Sequence, residues 1–189
     1  MTSIAKRHAT YDDIAALPDN FVGEIVYGDL LVSPRPSGVH SIAASALGFE
    51  LGPPFSKGRG GPGGWWILDE PELHLGAHVL VPDIAGWLRS DLSTLDIDRP
   101  SFAIPPRWVC EILSPATARY DRLTKLDAYH AERVSWAWIV DPLQRSVEVF
   151  RSESAGWLRV QTVEGATEAK VAPFDAVAID LATLWLPSS

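Results

Sequence analysis

The alternation of apolar and polar positions changes period several times along the 189 residues, and each change marks an element. Thr10-Tyr-Asp-Asp13 has the reciprocal capping pattern of a helix start, and the short helix it opens ends before Leu17-Pro18-Asp19. Phe21 to Val32 reads as two strands around a tight turn at Gly28-Asp29. After the break at Ser33-Pro-Arg-Pro-Ser-Gly38, the spacing of Ile42, Ala46, Leu47 and Phe49 predicts a helix from about His40 to Leu51, with those residues facing the core. Gly52 to Gly64 holds six Gly and three Pro and reads as a loop throughout. Trp65 to Leu68 and Glu72 to Leu75 read as strands on either side of Pro71. Val79 to Leu88 and Arg107 to Leu113 are nearly continuous apolar runs, as in strands buried on both faces. A polar stretch rich in Asp and Pro separates them. Asp121 to Arg133 is predicted helical, with Leu123, Leu126 and His130 along one side. Trp136 to Val140 and Ser146 to Arg151 form a hairpin around Asp141-Pro142. Trp157 to Thr162 and Val177 to Leu186 add strand and a closing helical turn. With no repeat and no dividing linker, the expectation is one domain over residues 1–189, a mixed α/β fold with a curved central sheet flanked by helices.

Composition narrows the class. Apolar residues are 47% and charged residues 21%, enough for a core without staples, and Cys110, alone in an apolar run, excludes a disulfide scaffold. No apolar run approaches about 18 residues, so no membrane span is expected. The opening residues lack the apolar core of a secretory leader, so a cytoplasmic location is expected. Sixteen basic against 24 acidic residues give a formal charge of −8, which argues against a general nucleic-acid coat protein. That balance does not exclude an enzyme that meets phosphate through a bound cation.

Three acids interrupt strands otherwise fit for a core. Asp83 shares a face with Val81, Ala85 and Trp87, Glu111 with Val109 and Leu113, and Glu24 with Val22 and Val26. A lone ionised carboxylate in such a place is costly. Three of them suggest a shared partner, and carboxylate oxygens with water are what Mg²⁺ prefers. The alternative is that each acid ends a strand and pairs with a surface Arg, and for Glu24 alone both readings stand.

These residues carry a resemblance. Pro82-Asp83 followed by Glu111 after 111 − 83 = 28 residues resembles the PD-(D/E)XK phosphodiesterases. The string Val109-Cys-Glu-Ile-Leu-Ser-Pro-Ala-Thr117, then Asp121-Arg-Leu-Thr-Lys125, Tyr129 and Trp138-Ile-Val-Asp-Pro142, is more specific. It resembles the Uma family of restriction endonucleases within that superfamily. Gly23-Glu-Ile-Val-Tyr-Gly-Asp-Leu-Leu-Val-Ser-Pro34 and His40 fit the same family, and the likeness runs from about Thr10 to Arg151 and thins beyond. The resemblance implies a restriction-endonuclease-like core and a metal-dependent nuclease acting on nucleic acid, DNA first. It implies Mg²⁺ or Mn²⁺ on Asp83, Glu111 and the main-chain carbonyl of Ile112, with Glu24 as an accessory acid touching metal directly or through water. Position 113, where the simple pattern has lysine, is Leu113, and Lys125 on the following helix matches the family's lysine.

Helical geometry puts Lys125 at the flank of the Leu123/Leu126/His130 stripe, with Tyr129 one turn on. The bland alternative is an Asp121–Lys125 pair on a solvent face, worth a few tenths of a kcal/mol. Only four lysines occur in the chain, which favours the functional reading. His40 could touch the site, cap its helix or lie at the surface. His74 and His78, four apart in a strand-like pattern, read as ordinary polar residues, and Ser114 has no triad context. Gly58-Arg-Gly-Gly-Pro-Gly-Gly64 lacks the Gly-Lys-Ser/Thr of a Walker loop. Lys57 and Arg59 could still reach a phosphate backbone, and Trp65 or Trp66 could stack on a base. A homodimer fits the two cuts of duplex DNA. Two rivals remain: a catalytically inactive nuclease-fold binding or assembly module, and a glycosidase using the acids without metal.

Overall fold

The computed structural model of the protein describes residues 8–91 and 100–186, so part of the Asp- and Pro-rich stretch lies outside the described residues. The N-terminal capping box forms and opens α1 (Tyr11–Ala15). The first hairpin is set by its turn. Tyr27 and Gly28 both have positive φ, 51° and 81°, the pair that a two-residue hairpin loop requires. Strand β1 (Phe21–Val26) therefore pairs with β2 (Asp29–Pro34) with Val26 opposite Asp29, one residue earlier than the turn expected at Gly28-Asp29. A Cβ on Gly23 would lie 2.6 Å from Leu17 and 3.2 Å from Ile14, so glycine lets the α1 segment lie flat on one face of the hairpin. Glu24 then points to the opposite face, with Val22 and Val26.

The run Val79 to Leu88 is not one strand. It divides into β5 (His78–Leu80) and β6 (Ile84–Leu88), which belong to different sheets. Pro82 offers no N–H for a ladder, so the chain leaves the first sheet at Val81 and enters the second after Asp83. The first sheet has the order β2-β1-β5-β4-β7, with β4 (Glu72–Leu75) and β7 (Ser101–Phe102) completing it. The second has the order β11-β10-β9-β8-β6-β3, formed with β3 (Trp65–Asp69), β8 (Trp108–Ile112), β9 (Trp136–Asp141), β10 (Ser146–Glu153) and β11 (Gly156–Glu164). Within it β8 and β9 run parallel, and the neighbouring pairs are antiparallel. A mixed fold was expected and is found, with two sheets sharing the work of the single curved one.

The centre of the second sheet, β8 and β9, is buried on both faces, while its edge strand β11 is largely exposed. One face packs on α2 (Gly38–Leu51) and on the C-terminal segment that carries β12 (Glu168–Ala169) and β13 (Ile179–Asp180); the other packs on the first sheet and the helical stretch after β8. Strand β8 shows the division by alternation: Trp108, Cys110 and Ile112 on the first face, Val109, Glu111 and Leu113 on the second.

Both helical faces differ from the sequence expectation. In α2 the buried stripe is His40, Ala43, Leu47 and Leu51, while Ile42 is exposed and Phe49 is 75% exposed. Of the expected stripe, Leu47 is in the core and Ala46 packs against it, whereas Ile42 and Phe49 face out. The expected loop at Gly52 to Gly64 begins later, because Gly52–Ser56 continues α2 as a wide turn that buries Phe55. The second helix runs as α3 (Ala118–Tyr120), a wide i→i+5 turn at Asp121–Lys125, and α4 (Leu126–Ala131). That wide turn shifts the helical phase, so Leu123 is exposed and Asp121, Lys125, Leu126, Ala128 and Tyr129 are buried.

The likeness noted in the sequence thins after Arg151, yet the later segment supplies the plug of the core. Phe174 lies 4.8 Å from the ring centres of Phe55 and Trp65, 4.9 Å from Trp108 and 5.6 Å from Trp138. Phe174→Ala is expected to cost about 3–5 kcal/mol in denaturant unfolding, the range for a large aromatic removed from a packed core. A loss below 1 kcal/mol would mean that the segment does not hold the sheet.

Candidate active site

Asp83, at the crossing between the two sheets, is held on both oxygens. Its Oδ2 accepts from the Ile112 N–H at 2.6 Å, and His40 Nε2 lies 3.0 Å from Oδ1. Glu111, from the centre of β8, is 2% exposed. Its Oε1 accepts from the Tyr129 hydroxyl at 2.5 Å and from Lys125 Nζ at 2.8 Å. Glu24, from β1, accepts from the same ammonium at 2.9 Å and from the Val81 N–H at 2.8 Å. Lys125 also donates to the Val81 carbonyl at 3.2 Å. An ammonium has three donors, and each is matched by one of these protein oxygens.

The structure therefore brings together the residues singled out as Asp83, Glu111, Lys125, Glu24 and Ile112. The Asp121–Lys125 pair is not on a solvent face, since both residues are buried. The wide turn that contains Asp121 and Lys125 directs them inward, and Tyr129 follows one turn later. Among the alternatives for His40, burial against Asp83 is the one found, and Ser37 Oγ also accepts from its main-chain N–H at 3.5 Å. Asp121 is a site acid that sequence reasoning left as a surface partner. No regular helical spacing signals it, because the wide turn at Asp121–Lys125 sets which side chains face in.

A cavity of about 300 Å³ opens onto this cluster, with Asp83, Glu111, Asp121 and Lys125 inside and Arg35 and Ser37 at its rim. The other candidates lie apart from it. His78 accepts from the Tyr27 N–H, His74 contacts Glu72, Trp65 is in the core, and Trp66 lies beneath the Arg89 guanidinium at 4.1 Å. Lys57 and Arg59 do not line it; Ser114 does line it, with its hydroxyl hydrogen-bonded to Thr117.

Electrostatics explains the stability of this arrangement. Burial works against the Lys125 charge, but Glu111 and Glu24 outweigh it and hold the ammonium well above the ordinary lysine range. Burial pushes Glu111 up, with Lys125 opposing. Burial also keeps the Tyr129 phenol protonated, so it donates. His40 is raised: burial acts to lower it, and its bond to Asp83 and that carboxylate's charge prevail.

A nuclease-type α/β fold with an acid–lysine cluster at the junction of its sheets is the class these observations define. The comparisons agree. The Uma2 family, described as "Putative restriction endonuclease", matches residues 10–182, and the chain belongs to it. The match extends past Arg151 into the segment that carries Phe174. The chain is also similar to a crystal structure of a putative nuclease belonging to DUF820 from Anabaena variabilis ATCC 29413. That likeness has a TM-score of 0.72 and 22% identity and covers 93% of this chain and 97% of the other, and it speaks to the fold. No curated protein matches the chain. Among the described residues no helix is long and apolar enough to cross a membrane.

Burial pushes the Asp121 carboxyl up to about 6, against the pull of Lys125 and Thr117. An acid raised in the folded chain favours folding below its unfolded pKa, and that contribution is lost as pH rises through about 6. Asp121→Asn is therefore expected to be more stable than the wild type at pH 8, by on the order of 1–3 kcal/mol. The difference should vanish as the pH falls to about 4. Urea titrations at the two pH values check this, and a variant less stable at pH 8 would contradict it.

Proposed function

We propose that this protein is a metal-dependent nuclease that hydrolyses phosphodiester bonds of DNA, with Mg²⁺ or Mn²⁺ held by Asp83, Glu111 and the Ile112 carbonyl. The observation that carries this reading is the convergence of Asp83, Glu111 and Lys125 at one cavity from three separate segments, with Glu24 of a fourth segment bonded to Lys125. The donor chemistry fits a hard divalent cation. Asp83 and Glu111 offer carboxylate oxygens to the same cavity, and the contacts described for Glu111 all fall on Oε1. Among the described residues, no three acid, His or Cys side chains stand close enough to hold an ion alone. A main-chain oxygen and water would complete the shell, as is usual for Mg²⁺. Ile112 directs its N–H to Asp83, and in an extended strand a residue's carbonyl leaves on the same side, which supports the Ile112 carbonyl as that oxygen.

When bound, such an ion polarises the scissile phosphate and lowers the pKa of the attacking water. The protein's own groups do the rest. Lys125 is a fixed positive charge beside the reacting phosphate and stabilises the charge that develops on its oxygens. Glu24 is an accessory acid that keeps Lys125 in place. Tyr129 and Lys125 together fix Glu111, and Ile112 fixes Asp83. Water attacks in line, the 3′ oxygen leaves, and the product keeps a 5′ phosphate. A two-fold homodimer would set two such sites against the two strands of a duplex.

A second reading, a nuclease fold used only for binding or assembly, is favoured by one observation: every donor of Lys125 is satisfied within the protein. Cleavage of plasmid and single-stranded DNA with Mn²⁺ or Mg²⁺ separates the two. Glu111→Gln should lower the cleavage rate at least a hundredfold in protein that circular dichroism shows to be folded at the assay temperature. Cleavage retained in that variant would remove Glu111 from the mechanism. A wild type inert with either ion would favour the binding module.

A further inference from the structure

His40 has no place in the mechanism above, yet it is one of the most confined polar side chains in the molecule. Its side chain is 9% exposed, and it reaches the cavity from the first turn of α2. Asp83 does not need it for orientation, because Oδ2 is already fixed by the Ile112 N–H at 2.6 Å. The imidazole instead stands beside the other oxygen, with Nε2 3.0 Å from Oδ1. Two ligands about 2.1 Å from a common ion, on adjacent corners of an octahedron, are about 3 Å apart. The spacing of this nitrogen and this oxygen is thus that of two neighbouring ligands of one ion.

The other ring nitrogen, Nδ1, is buried and has no hydrogen-bond partner among the described residues. The Nε2–H bond to Asp83 Oδ1 is thus the contact that sets the tautomer among the described residues. An ion between the two would take the place of that proton, which can sit on Nδ1 instead, and no bond to Nδ1 has to break.

Resting on the metal-dependent reading of the site, we propose that His40 Nε2 is a further metal ligand beside Asp83 Oδ1, the ion drawing in with Glu111 a set of side chains that is not a ready-made cage without it. It gives the site a nitrogen donor and a preference for Mn²⁺ over Mg²⁺. Mg²⁺ favours all-oxygen shells and keeps its water, whereas imidazole suits the first-row transition ions.

Calorimetric titration of Mn²⁺ and of Mg²⁺ into wild type, His40→Ala and Asp83→Asn tests this. The wild type is expected to bind Mn²⁺ at least tenfold more tightly than Mg²⁺. His40→Ala should weaken Mn²⁺ at least tenfold and change Mg²⁺ less than threefold, so that the preference collapses. Equal weakening of both ions would mean that His40 only orients Asp83, and would overturn the proposal. Pulsed electron paramagnetic resonance of Mn²⁺ on the wild type needs no variant. Nitrogen modulation that changes when the histidines are labelled with ¹⁵N is expected, and its absence overturns the assignment. Mn²⁺ bound without nitrogen coupling, and lost in Asp83→Asn, would defeat this inference alone. A wild type that binds neither ion would defeat the metal site itself, and the inference with it.

Discussion

An ammonium group buried between two carboxylates is the constraint on which the active region depends. Lys125 is 3% exposed, Glu111 2% and Glu24 8%, so none of the three can find its partner in water. Removing one member of such a cluster leaves an uncompensated buried charge, at a cost of about 3–5 kcal/mol. The first hairpin, the central strand β8 and the helical stretch that follows it are thereby tied together at one point. Val81 strengthens the tie, since its N–H bonds Glu24 and its carbonyl bonds Lys125. The same dipeptide step carries the chain from one sheet to the other and delivers Asp83 to the cavity.

The two faces of the six-stranded sheet have different duties. On one, Trp65, Trp108, Trp138, Phe55 and Phe174 form an aromatic cluster with no charged member, and its large side chains hold α2 and the C-terminal segment. On the other, Val109 and Leu113 flank Glu111, so apolar packing continues up to the edge of the charged cluster. Alternation along β8 separates the two by a single residue step. A strand buried on both faces can thus be rigid and still present one acid.

Much of this was legible in the sequence. The acids at 24, 83 and 111 declared themselves because each interrupts an apolar run, although Asp83 falls between two strands and not within one, and the strings around Glu111 and Lys125 pointed to the family. The helical faces were not legible, for a physical reason. Hydrophobic counting assumes a regular 3.6-residue period, and the wide turn at Asp121–Lys125 departs from it. That departure moves Leu123 out and brings Asp121 and Lys125 in. The division of Val79 to Leu88 between two sheets was hidden as well, although Pro82 was the local sign of a break. His40 depended on the crossing of α2 over Asp83, a tertiary fact with no trace in local spacing.

Whether a divalent ion completes this cluster can be seen in a crystal grown with Mn²⁺ and measured for anomalous scattering. One strong peak is expected in the cavity, about 2–2.3 Å from carboxylate oxygens of both Asp83 and Glu111, with Lys125 still bonded to Glu24. A cavity without a peak, with Lys125 alone between Glu24 and Glu111, would rule the ion out.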